Sequence, residues 1–185
     1  MSIADIRDLP AQLEAQRHAL RSYPLPAKVL HWLTVILVVF MVSSAVIAKQ
    51  LNDGPWSDTL FTMHKTTGVI ILTIVLLRLC YRVALRWKEP QATSARRSAL
   101  HWLLYGVIIL VPLVGWAGIS DFGAREIFPG FTLPAIWPEH AGYDEFLFTF
   151  HAYLAFSLLA LVVLHIGSAM QDYMMRADDP DANGR

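Results

Sequence analysis

Four long apolar runs separated by polar stretches divide the chain. They extend from about Val29 to Ala48, from about Met63 to Arg78 and Arg82, from about Leu100 to Ile119, and from Phe146 to Met170. Each approaches the roughly 20 residues that an α-helix needs to cross the hydrocarbon of a bilayer. The pattern predicts an all-α fold, an integral membrane four-helix bundle. Around the runs it predicts a polar N-terminal segment (1–27), a four-span domain (28–173) and a short tail (174–185) that is disordered beyond Asp178. Pro10 suits the first position of a short helix with a weak apolar edge of Leu9, Leu13 and Leu20 that lies on the membrane surface. Gln50 to Phe61, with Gly54, Pro55 and Trp56, reads as a polar connection. Pro112 is expected to kink the third span, and Gly106, Gly115 and Gly118 permit close approach of a helix or a cofactor. Ser120 to Glu145 is the longest connection between spans. Its Phe122, Phe128, Phe131, Trp137 and Tyr143, set among Pro129, Pro134 and Pro138, predict a compact lid lying in the membrane interface.

Composition strengthens the membrane reading. Of 185 residues, 55% are hydrophobic and 16% charged, and the mean hydropathy is +0.44, too apolar for an ordinary water-soluble domain. The formal net charge of zero gives no basis for nucleic-acid binding. Cys80 is the single cysteine, which excludes an internal disulfide, a CxxC redox pair and the CxxCH attachment of a c-type haem. Any haem is therefore held by coordination alone. The long polar leader does not suit a signal peptide, although Val46 and Ala48 imitate a cleavage site. No grouping of nucleophile, base and acid argues for a hydrolase.

Lysine and arginine set the expected topology. Arg7, Arg17, Arg21 and Lys28 precede the first run, and Arg82, Arg86, Lys88, Arg96 and Arg97 lie between the second and third. The opposite side carries only Lys49 and Lys65 around the first connection and Arg125 in the third. Both termini are expected in the cytoplasm.

Histidines carry the candidate chemistry. His151 and His165 are fourteen residues apart in the fourth run, a spacing that puts both on one helix face to within about 40° and separates them by roughly 21 Å. His31 opens the first span and His64 the second, so His31 and His165 share the depth near the cytoplasmic face, and His64 and His151 the depth near the outer face. Imidazoles buried in hydrocarbon need partners, and hydrogen bonding between helices would satisfy any one of them. Two depth-matched pairs point instead to two bis-histidine haems, low-spin centres that carry electrons without an open position for oxygen chemistry. Gly68 follows His64 by one turn and leaves room for a flat macrocycle. Arg78 is fourteen residues beyond His64, on the same face, where it could meet a haem propionate; ordinary anchoring with snorkelling is the alternative for Arg78 and Arg82. His101 could ligate, bond at the interface or help hold a quinone. His140 belongs to the lid and is expected in solvent, and His18 has no assigned role.

The sequence resembles the bacterial cytochrome b561 proteins, small di-haem b membrane cytochromes related to the b-type subunits of nickel-iron hydrogenases. Lys28-Val29-Leu30-His31-Trp32, His64-Lys65-Thr66-Thr67-Gly68, Leu79-Cys80-Tyr81-Arg82, Pro129-Gly130-Phe131-Thr132-Leu133-Pro134 and the span holding His151 and His165 carry the likeness, from about Tyr23 to Tyr173. The segment before Tyr23 departs from the compact members. The resemblance implies two haems b, one held by His31 with His165 and one by His64 with His151. It also implies electron exchange with ubiquinone, and in one branch oxidation of superoxide at the periplasmic face.

Three functions are consistent with these features. The first is transmembrane electron transfer between a periplasmic donor such as superoxide and the ubiquinone pool. The second is a membrane anchor and electron relay for a separate dehydrogenase, docking through the N-terminal segment or the lid. The third is a histidine-lined metal or proton transporter, distinguished by the absence of a haem spectrum. Lys65, Lys49 and Arg125 are candidates to guide an anion at the outer face, opposed by Asp121, Glu126, Glu139, Asp144 and Glu145.

Overall fold

The structure is a computed structural model, described here for residues 25–88 and 95–177. The readings for the N-terminal segment through Pro24, for 89–94 and for the tail from 178 fall outside those residues. Four helices make up most of it: α1 (Leu25–Gln50), α2 (Pro55–Lys88), α3 (Ala95–Phe122) and α4 (Asp144–Ala177). Each is long and apolar enough to cross a membrane. The starts of α1 and α3 and the ends of α2 and α4 share one end of the bundle, called proximal below; the lid lies at the distal end.

One expectation is corrected. The polar connection after the first span is much shorter than Gln50 to Phe61, because α2 already begins at Pro55. A proline at the first helical position gives up an N–H that would have no intrahelical acceptor, and Asp58 in that turn complements the helix dipole. Ser57 also reaches back, its Oγ donating to the Ala48 carbonyl at 3.2 Å. The fold is mostly helical, as expected, and the lid adds a small two-stranded antiparallel hairpin, β1 (Glu126–Phe128) and β2 (Phe131–Thr132). Gly130 in its turn has φ of 83°, a conformation that costs glycine little.

The packing is uneven. Helix α1 runs along α2, α3 along α4, and α2 joins the two pairs through a smaller contact with α3. Among the described residues no Cα of α4 comes within 8 Å of one in α1 or α2. Met41, Ile71 and Val75 form the buried apolar cluster, with Leu37, Val38, Tyr105, Ile108 and Ile109 packed on it. This cluster joins α1, α2 and α3 in mid-bundle and leaves α4 standing off across a gap. Pro112 lies inside α3, which stays helical through it.

The lid is compact, as expected from its aromatic and proline content. Asp121 is 1% exposed and accepts hydrogen bonds from the backbone N–H groups of Gly142 at 3.1 Å and Tyr143 at 2.6 Å. It thereby supplies, from the end of α3, acceptors for the chain entering α4. Trp116 Nε1 donates to the Pro134 carbonyl at 2.9 Å, Arg125 to the Leu133 carbonyl at 2.9 Å, and Lys65 to the Ala124 carbonyl at 3.0 Å. Phe122, Phe128, Phe131, Trp137 and Tyr143 remain exposed, as suits rings lying at a lipid interface. His140 is also exposed.

Candidate haem sites

Two histidine pairs bridge the gap between α4 and the α1–α2 pair. At the distal end the rings of His64 on α2 and His151 on α4 have centroids 6.0 Å apart and planes at 80°. At the proximal end His31 on α1 and His165 on α4 lie 6.4 Å apart at 71°. Two imidazoles that bind one metal end-on from opposite sides, each at about 2 Å, have ring centres roughly 6 Å apart. The pairing by depth that the sequence suggested is therefore also a pairing in space.

Each distal ring has its orientation fixed by a backbone carbonyl. His64 Nδ1 lies 3.0 Å from the Met41 carbonyl and His151 Nδ1 lies 2.9 Å from the Val111 carbonyl. A carbonyl only accepts, so Nδ1 carries the proton in both rings and Nε2 keeps its lone pair for a metal. Gly115 makes space for the second of these rings: a Cβ there would lie 2.9 Å from His151 Nδ1 and 3.0 Å from its Cε1. Gly118 is occupied in the same way by the Phe148 ring, at 2.8 Å. At Gly68 a Cβ would meet only the Met41 sulfur at 3.8 Å, so its surroundings are open, as a flat ligand requires.

Proximally a third imidazole joins the pair. His101 on α3 has its ring centroid 5.1 Å from that of His165, closer than His31. His165 Nδ1 is buried with no hydrogen-bond partner among the described residues. Arg78 lies within electrostatic range of both His31 and His165. Its guanidinium carbon is 6.0 Å from the centroid of the Tyr105 ring, and that of Arg82 is 5.5 Å from it. Arg78, Arg82, His101 and Tyr105 thus gather beside the proximal pair, a setting suited to carboxylates.

The donor set fits haem. Among the described residues no group of three or more His, Cys, Asp or Glu is arranged to hold a bare metal ion. Each pair instead brings two imidazoles to a spacing of about 6 Å, and two nitrogen donors are what a macrocycle carrying its own equatorial donors would need. Where the pairs meet, no Cα of α4 among the described residues approaches α1 or α2 within 8 Å, so these helices are not in close backbone contact there.

A comparison with protein families decides the assignment, because the description of prokaryotic cytochrome b561 matches residues 22–176. The chain belongs to the prokaryotic cytochrome b561 family. It is 25% identical over 158 residues to "Cytochrome b561 homolog 2" of Escherichia coli (strain K12), covering 80% of this chain and 83% of that protein. It is 24% identical over 161 residues to "Probable superoxide oxidase CybB" of Yersinia pestis, covering 81% of this chain and 88% of the relative. Membership in the cytochrome b561 family makes this a multi-pass bacterial membrane protein that carries electrons across the membrane and uses haem b.

Sequence reasoning missed the carbonyls of Met41 and Val111, since a backbone acceptor is not tied to residue type. It named Gly115 only as a place of close approach. Asp121, counted as a surface charge opposing an anion, is instead buried and satisfied.

Proposed function

We propose that this cytochrome b561 holds two haems b, one between His31 and His165 and one between His64 and His151, and moves electrons between a periplasmic donor and ubiquinone. The observation that carries this reading is the two imidazole pairs, 6.4 and 6.0 Å between centroids, at two depths of one helix. When bound, each haem would supply one-electron exchange, held by its histidine pair. The protein's share is to orient the distal imidazoles through Met41 and Val111, to leave room at Gly68 and Gly115, and to hold the Arg78 cation beside the proximal pair. The four-span unit (28–173) carries this machinery.

The asymmetry of lysine and arginine supports placing both termini in the cytoplasm, and the distal lid then faces the periplasm. Superoxide is the donor we favour. The name of the Yersinia relative supports it. So does Lys65, which lines a cavity of about 440 Å³ with Thr62, Gly123, Ala124 and Glu126 next in sequence to His64.

The test is reduced-minus-oxidised spectroscopy of the purified protein with haem-to-protein stoichiometry, followed by pulses of superoxide in the presence and absence of ubiquinone. Two haems per chain and quinone-dependent reoxidation are expected. A preparation without reduced haem b bands, or with a single haem, overturns the reading.

A further inference from the structure

We propose that the two centres are graded, the one between His31 and His165 having the higher reduction potential, and that Arg78 is the side chain that sets the grade. This rests on the two-haem reading above. The distal imidazoles both donate Nδ1–H to main-chain carbonyls, His64 to Met41 at 3.0 Å and His151 to Val111 at 2.9 Å. Such a bond makes Nε2 a stronger donor, which stabilises the oxidised metal and lowers the potential. The cations at that end are Arg125, paired with Glu139 at 3.6 Å, and Lys65, next in sequence to His64. Its ammonium is tied to the Ala124 carbonyl at 3.0 Å and lies within range of Glu126, so its field is partly offset.

The proximal end is built differently. His165 Nδ1 is buried without a hydrogen-bond partner among the described residues, so His165 lacks the carbonyl that strengthens both distal ligands. Arg78 is half-buried, with its guanidinium carbon 6.0 Å from the Tyr105 ring centroid. Arg82 stacks on that ring at 5.5 Å, and no aspartate or glutamate is described on α2 beyond Asp58 at its far end. A guanidinium keeps its charge at every working pH, and in a medium of low dielectric that charge stabilises an added electron. Both differences have the same sign. An electron exchanged between the centres oxidises the distal iron by one unit and reduces the proximal iron by one, with no other bond made or broken, and the equilibrium favours the proximal side.

The experiment is a potentiometric titration of the full haem-loaded chain, using dithionite and ferricyanide with mediators and following the haem bands. Two waves are expected, the upper one absent from His165→Ala and the lower one absent from His151→Ala. Arg78→Gln should lower the upper wave by about a tenfold change in its equilibrium, equivalent to 59 mV for one electron, and leave the lower wave in place. Arg78→Lys, which keeps the charge, should restore most of the difference. The order of the waves in the unmodified protein is a separate reading that needs no Arg78 variant to fold. Two haems with the order reversed, or an upper wave that ignores Arg78→Gln, overturn the grading and leave the two-haem reading standing. A single haem per chain removes both.

Discussion

The imidazole of His151 fills the space that a side chain on Gly115 would need. A Cβ at that position would lie 2.9 Å from Nδ1, the same nitrogen that donates to the Val111 carbonyl at 2.9 Å. Backbone and ring thus meet at one point of α3, and the glycine and the hydrogen bond together fix how far His151 can turn. Steric room and tautomer are set by residues within one helical turn of each other.

Gly115→Ala should therefore injure the distal haem alone. The added methyl must displace the ring, because real Cβ contacts do not persist at such a distance and the helix backbone cannot yield without losing its own hydrogen bonds. We expect the distal low-spin EPR signal to broaden or vanish and haem content to fall towards one per chain, with the proximal signal intact. Gly106→Ala is the control, since a Cβ there meets nothing within 4 Å. Equal loss in both variants would refute a local steric effect.

What was legible in the sequence was depth. Helical rise converts residue number into height, so His151 and His165 could be matched to His64 and His31 without knowing how the helices pack. Rotation and neighbour choice were not legible in this way. The Gly115–His151 contact links positions 36 apart in the chain through the facing of α3 and α4, and the 5.1 Å approach of His101 to His165 depends on the same facing. Pro55 reads equally well as a loop or as a helix start, and the fold puts it at the first position of α2. The β1–β2 hairpin is too short to show a period of two. Asp121 looked like a solvated charge because its partners are backbone N–H groups more than 20 residues downstream.

Asp121→Ala should loosen the lid. It takes away the charged acceptor of the Gly142 and Tyr143 N–H groups, two part-buried hydrogen bonds whose loss costs about 1–3 kcal/mol. The expected outcome is a lower thermal midpoint in detergent and faster proteolysis between 123 and 143, with both haem bands retained at low temperature. Asp121→Asn, which keeps one acceptor oxygen, should fall between the two. Unchanged protease sensitivity in Asp121→Ala would show that the lid is held by its other contacts.

Lys65→Glu should slow reduction of the distal haem by superoxide about tenfold at low ionic strength and flatten its dependence on salt. The reversal also removes the bond from Lys65 to the Ala124 carbonyl, so Lys65→Gln serves as the comparison: it loses the charge without introducing the opposite one. Stopped-flow rates over a range of salt separate the two effects. Identical rates in all three proteins would rule out steering through this residue.

The ligand pairs make the most exacting prediction, because His101 is nearer to His165 than His31 is, 5.1 Å against 6.4 Å between centroids. Proximity alone would pair His101 with His165. Opposed end-on ligation of one metal, however, needs ring centres roughly 6 Å apart, and 5.1 Å leaves too little room for an ion between them. His31→Ala and His165→Ala should therefore give the same loss of the proximal low-spin signal, and His64→Ala and His151→Ala should share the distal loss. The double variant His31→Ala/His165→Ala should be little worse than either single one, since two residues serving one metal act as a unit. His101→Ala should keep both haems. Low-temperature EPR with haem-to-protein ratios across the set is decisive: if His101→Ala empties the proximal site while His31→Ala leaves both low-spin centres intact, α3 rather than α1 supplies the ligand and the assignment fails.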